Sequence, residues 1–259
     1  MRKLPLLIAA AAATFVVHLP AAHADEPTAD QIIDKALDQN AMGFKSGEAH
    51  ITLHVEDKAG AKRVRKLDVK SKKIDGLTRT LVTLTSPKEV KGQAFLFAEQ
   101  KGEDDVWMYV PAFKVTRRIE GGQKKGSFLG SHFTYADLES RDIKDSKYEK
   151  LDDARIGKIP VYVVQATPKK SSDSDYARVL VYVRKSDYIP LKVKFFDHDK
   201  KLAKTLFVEK LDKTDDGQTY ASQMTLRPDG GGHTTMTIDA LKSNVAIPDA
   251  AFSKDQLGK

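Results

Sequence analysis

The sequence predicts a mainly β domain, built as one large curved antiparallel sheet or barrel with a single helix at its start. Three observations carry that expectation. Beyond about residue 45 the apolar residues recur with period two rather than 3.6. The alternating segments are short and are joined by polar or glycine-bearing turns suited to hairpins. Only one stretch has helical spacing.

That stretch opens the domain. Thr28 can cap a helix, with Gln31 three residues on as its capping-box partner, and Ile32, Ile33, Ala36 and Leu37 then fall on one face. Roughly three turns are expected, ending within residues 40–43. About eleven strands follow, at residues 49–55, 63–71, 78–85, 93–98, 106–110, 160–166, 177–184, 191–197, 202–210, 220–227 and 233–241. Lys185-Ser186-Asp187 and Asp197-His198-Asp199 read as short polar connections, and Asp229-Gly230-Gly231-Gly232 can adopt positive φ cheaply. No linker or internal repeat divides residues 25–259, so one domain is expected. One region breaks the pattern. Residues 121–142 hold four glycines and are too long for a hairpin turn. Loops of that length in a compact domain tend to be functional, and this one reads as a loop plus a short helix lying over one side of the sheet.

The first 24 residues read as a signal peptide. Arg2 and Lys3 precede a run that is almost entirely apolar from Leu4 to Val17, and Ala22-His23-Ala24 suits cleavage before Asp25. His18 and Pro20 interrupt the run before the ~20 residues that a spanning helix needs. Cleavage leaves 235 residues, enough for one β-rich domain. The chain has no cysteine, which excludes disulfides, thiolate metal sites, cysteine nucleophiles and a lipid-anchored N-terminus. An exported domain without disulfides fits a bacterial periplasm. The formal charge of +7 is spread among acidic residues. That describes a solvated surface with at most mild attraction to anionic headgroups; nucleic-acid binding calls for a concentrated basic stripe.

The chemical motifs are weak. His50 and His54 are four apart, but on a strand that is roughly 13 Å, too far for one metal ion. Gly126-Ser127-Phe128-Leu129-Gly130 has its serine one position early for a nucleophile elbow. Gly121 and Gly126 match the start of a phosphate loop, yet Ser127-Phe128 replace the residues that do its chemistry. No catalytic residue, metal site or cofactor is expected. The aromatic residues say more. Phe95 and Phe97 share one face of their strand, Trp107 and Tyr109 one face of theirs, and Phe113, Phe128, Phe133 and Tyr135 follow closely. Both strands are apolar on both faces, so both faces are covered. Either side chains fill a core on each side, or one side lines an apolar cavity.

Residues 105–119, with Trp107, Tyr109, Pro111, Phe113, Arg117 and Arg118, and residues 126–138, with Gly130-Ser131-His132-Phe133 and Asp137, resemble the outer-membrane lipoprotein-sorting proteins, the LolA-like periplasmic carriers. Residues 86–92 and 188–193 fit the same pattern. The resemblance implies an unclosed antiparallel β-barrel, LolA/LolB-like, with helices as a lid. It also implies a carrier that holds acyl chains of a lipid or lipoprotein between sheet and lid without chemistry, and an RND/MMPL-type inner-membrane transporter or an outer-membrane acceptor as partner. His132 stands where that family usually has an acid, so the pairing such an acid would make with Arg117 or Arg118 is not expected.

The expected cavity wall is Leu81, Phe95, Phe97, Trp107, Tyr109, Phe113, Phe128, Phe133, Tyr182 and Phe195. Arg117, Arg118, His132 and Asp137 are candidates for lid closure or headgroup contact, or equally for structural ion pairs. The expected function is that of a soluble, monomeric periplasmic carrier. The alternative is a non-catalytic envelope scaffold with a filled core; an envelope hydrolase is a more remote reading, because no nucleophile meets a base.

Overall fold

The computed structural model describes residues 26–38, 46–139, 146–169 and 174–259. The expected signal peptide, residues 1–24, lies outside them. Helix α1 (Ala29–Asp38) begins as its sequence indicates: the Thr28 N–H donates to Gln31 Oε1 at 3.0 Å, and the Gln31 N–H donates to Thr28 Oγ1 at 3.3 Å. Ile32, Ile33 and Ala36 are buried along one stripe.

Among the described residues, thirteen strands then form one sheet in which every neighbouring pair is antiparallel. They are β1 (Ser46–Glu56), β2 (Lys62–Ile74), β3 (Leu77–Ser86), β4 (Ala94–Ala98), β5 (Asp105–Val110), β6 (Val115–Ile119), β7 (Ser146–Ile156), β8 (Ile159–Pro168), β9 (Arg178–Arg184), β10 (Pro190–Phe196), β11 (Leu202–Lys213), β12 (Thr219–Pro228) and β13 (His233–Ser243). The spatial order is β6-β5-β4-β3-β2-β1-β13-β12-β11-β10-β9-β8-β7. The expected mainly β, unclosed antiparallel fold is therefore present, with thirteen strands rather than about eleven. The two that sequence reading passed over, β6 and β7, are the two edges. β7 carries Lys147, Glu149, Lys150, Asp152, Asp153 and Arg155 among few apolar residues. Charges at an edge suppress pairing with other chains and erase the alternation that marks a buried strand.

The order also explains the long connection after β6. The chain builds the sheet outward from β1 to β6, then resumes at the opposite edge with β7, so residues 121–139 have to travel across a face. They do so as three 3-10 turns, at Gly121–Lys125, Phe128–Gly130 and Ala136–Leu138. We call the face they cover the lidded face. Strand pairing places Leu53, Leu67, Val82, Phe95 and Met108 on it at one end. At the other end it carries Val164, Val181, Val193 and Leu206. Helix α1 packs on this same face, against Tyr162, Val164 and Val183.

Among the described residues, the opposite, outer face is covered only in part. The tail after β13 runs back over β3–β5, and Ile247, Phe252 and Leu257 pack on Ala94, Leu96 and Ala98. Strand β4 is thus buried on both sides, as its unbroken apolar sequence requires.

Candidate apolar binding face and its lid

The lid is a small hairpin held to the sheet by aromatic packing. The Phe128 N–H donates to Phe133 O at 2.7 Å, and the Tyr135 N–H donates to Gly126 O at 3.2 Å. Phe128 lies edge-on to Phe95, with ring centres 5.1 Å apart, and 5.9 Å from Phe97; Tyr135 stands 5.6 Å from Phe128 and 5.9 Å from Phe95. Phe128 and Phe133 are buried. Edge-to-face rings add about 0.5–1.5 kcal/mol per pair beyond their buried area.

Three polar clamps fix this hairpin. The first is Asp137, which forms an ion pair with Lys204 of β11. Both side chains are almost fully enclosed, at 6% and 7% exposure. Tyr176 OH donates to the other carboxylate oxygen at 2.9 Å, and the Thr134 N–H donates to Asp137 at 2.7 Å. The Lys204 ammonium also lies 5.1 Å from the Tyr176 ring centre and 5.4 Å from that of Phe195. The second clamp is Lys124. Its ammonium donates to Asp104 O at 2.7 Å and lies 3.0 Å from Glu103 and 2.9 Å from Glu139. Burial pushes the Glu139 carboxyl above its usual range despite the lysine beside it. The third is His132, whose N–H donates to Thr234 Oγ1 at 3.0 Å while its ring Nδ1 lies 2.8 Å from the same oxygen. Burial, and then the neighbouring His233, lower the His132 pKa. Thr234 is fully buried, and this hydroxyl–imidazole pair anchors the lid to β13. Gly232 makes the approach possible. Its φ is +79°, and a Cβ there would sit 2.6 Å from Glu56 O and 3.0 Å from His132 Nε2.

Between lid and helix, the lidded face presents half-buried apolar side chains. Leu206, Met236 and Tyr220 adjoin the lid cluster, Val181 adjoins the helix cluster, and Val193 and Leu206 face each other across β10 and β11. Met224 closes the row beside Met236. A surface of this kind can take up apolar chains. Among the described residues, no group of three or more His, Asp or Glu is placed to hold a metal ion.

The structure brings together five of the ten expected wall residues: Phe95, Phe97, Phe128, Phe133 and Phe195 lie under or within the lid. The other five are elsewhere. Leu81, Trp107 and Tyr109 alternate to the outer face, where the tail covers them; Lys254 stands over the Trp107 ring and Gly258 presses on Tyr109. Tyr182 is also on the outer face, beneath Lys192. Phe113 is at the exposed tip of the β5–β6 hairpin. Period two puts neighbouring aromatic pairs on opposite faces whenever strand registers differ by one. Of the four polar candidates, Asp137 and His132 hold the lid. Arg118 pairs with Asp105 and Glu120 on the outer face, and exposed Arg117 lies opposite Met108, near Tyr135. Neither arginine is an ion-pair partner of Asp137; Lys204 is. A signal for it existed: Lys204 occupies an inward position in the alternation Leu202, Lys204, Leu206, where a lysine needs a buried partner.

Comparisons place this architecture. A family model described as an uncharacterized protein matches residues 76–259. A search of curated proteins gives no match. Among solved structures, a DUF1329 family protein from Desulfovibrio piger superposes with a TM-score of 0.81 at 25% identity, covering 90% of this chain and 100% of that one. The domain of an outer-membrane lipoprotein-sorting protein from Vibrio parahaemolyticus, so described as putative, gives 0.81 at 28% identity, covering 89% and 100%. A LolA superfamily protein from Nitrosomonas europaea gives 0.72 at 22% identity, covering 90% and 100%. The chain belongs to the family of that matching model and has the carrier-type fold of the LolA-like, outer-membrane lipoprotein-sorting proteins.

Proposed function

We propose that this protein is a periplasmic carrier that holds the acyl chains of a lipid or lipoprotein on its lidded face and moves them between envelope membranes without chemistry. The observation that carries the reading is the half-buried apolar strip of Val181, Val193, Leu206 and Met236, with buried Met224 beside Met236, flanked by an aromatic lid on one side and α1 on the other. Each methylene hidden there contributes about 0.8 kcal/mol. Ten contribute at most ~8 kcal/mol, enough for micromolar retention before ordering costs. The first 24 residues supply an export signal, and an RND/MMPL-type transporter or an outer-membrane acceptor is the partner that fits such a shuttle. No helix among the described residues is long and apolar enough to cross a membrane.

Native mass spectrometry after mild purification tests this. Co-purifying lipid, displaced by a fluorescent fatty acid, is the expected result. A clean apo mass with no fatty-acid binding would favour the scaffold reading, in which the strip is simply core.

A further inference from the structure

Three of the four large hydrophobic residues that stand exposed among the described residues are Phe113 at 78%, Val115 at 50% and Val64 at 42%. Phe113 is the extreme case. It tops the four-residue turn of the β5–β6 hairpin, closed by Phe113 N–H to Val110 O at 3.2 Å and Lys114 N–H to Pro111 O at 3.2 Å. Exposed Ala112 and Lys114 flank it. The β3–β4 connection stands beside this tip, since a Cβ added at Gly92 would lie 3.5 Å from the Pro111 ring. Residues 86–93 and 110–117 together hold Lys88, Lys91, Lys114 and Arg117 against one carboxylate, Glu89. All four cations are exposed, and among the described residues none is paired with a carboxylate. Elsewhere several surface lysines and arginines do pair with carboxylates, as in Lys62–Glu56, Lys70–Glu48 and Arg63–Asp57.

We propose that this rim, with Phe113 at its tip, docks on the surface of an anionic phospholipid bilayer. A single projecting phenylalanine ringed by unpaired cations suits the headgroup boundary, where the ring reaches the acyl layer and the cations meet lipid phosphates. A protein partner would be met by a broader apolar patch than one ring and two valines. The rim is also the end of the sheet where His132 anchors the lid to the first residues of β13. Docking there brings the lid's anchored edge to the membrane. The inference needs no cargo and stands apart from the carrier reading.

Flotation of the mature protein with vesicles tests it, using phosphatidylcholine alone and phosphatidylcholine with about one-third phosphatidylglycerol. Preferential binding to the anionic vesicles, weakened at high salt, is expected. Phe113→Ala should lower partitioning roughly tenfold. Lys91→Gln with Lys114→Gln should lower it by a similar factor or more at low salt, since each basic residue near such a surface is worth about fivefold. Lys73→Gln with Lys158→Gln, one at the end of β2 and one in the β7–β8 turn, both at the opposite rim, should leave it within about twofold. All of these side chains are exposed, so unchanged thermal unfolding verifies the fold. Equal binding to both vesicles, no binding, or wild-type binding by Phe113→Ala would overturn the proposal and leave the tip to a protein partner. Equal loss from the opposite-rim pair would overturn it in favour of diffuse charge.

Discussion

The two covers of the lidded face are held by different physics. The lid over β3–β5 combines buried rings with three polar clamps, two of them buried ion pairs. The helix over β8 and β9 relies on Ile32, Ile33 and Ala36 against Tyr162, Val164 and Val183. Its polar attachment is peripheral: Lys35 Nζ lies 3.2 Å from Tyr188 OH and over that ring. Apolar area is non-directional and lets a helix slide or tilt with small losses. A buried ion pair works only in one geometry, since each charge is costly without its partner. The lid is therefore specified in position, and the helix is the cover that moves more cheaply.

The sharpest way to break that contrast is at Asp137. Asp137→Ala strands Lys204 in an apolar setting and should destabilise the protein by about 3–5 kcal/mol. Asp137→Leu with Lys204→Met should restore much of that loss, measured by urea unfolding; if the double variant is no better than the single, the pair is not the clamp. Next come the apolar contacts. Phe128→Ala should cost about 3–5 kcal/mol, whereas Ile32→Ala in the helix should cost nearer 2 kcal/mol because α1 can shift to refill the gap. Equal losses would erase the distinction between the covers.

The smallest effect is a pH dependence at His132, which faces His233, Arg63 and Asp57. Its folded pKa lies below the ordinary 6.5. The contribution to stability is therefore fully present above pH 6.5 and is lost as pH falls through the folded value. The urea midpoint should drop between pH 7.5 and 5.5 by more in the wild type than in His132→Asn; the same drop in both would exclude His132 as the cause.

Sequence alone disclosed the sheet, the capped helix and the long crossing segment, because each leaves a local period or turn signature. It missed β6 and β7, since edge strands trade apolar alternation for charge. It found the aromatic residues of the lid but not their faces, which depend on strand register. It named Asp137 as a lid candidate but named no partner for it. Lys204 is 67 residues away, and only the crossing of the lid over β11 brings the two together.

The central claim is that an acyl chain lies on the strip between the two covers. Three methionines mark the lidded face: Met108 beneath the lid, and Met224 and Met236 on the strip. Methyl NMR of the methionine-labelled protein, titrated with a long-chain fatty acid, reads them separately. The account predicts large shifts at Met224 and Met236 and a smaller one at Met108. No shift at the strip methionines, with binding observed elsewhere, would contradict it.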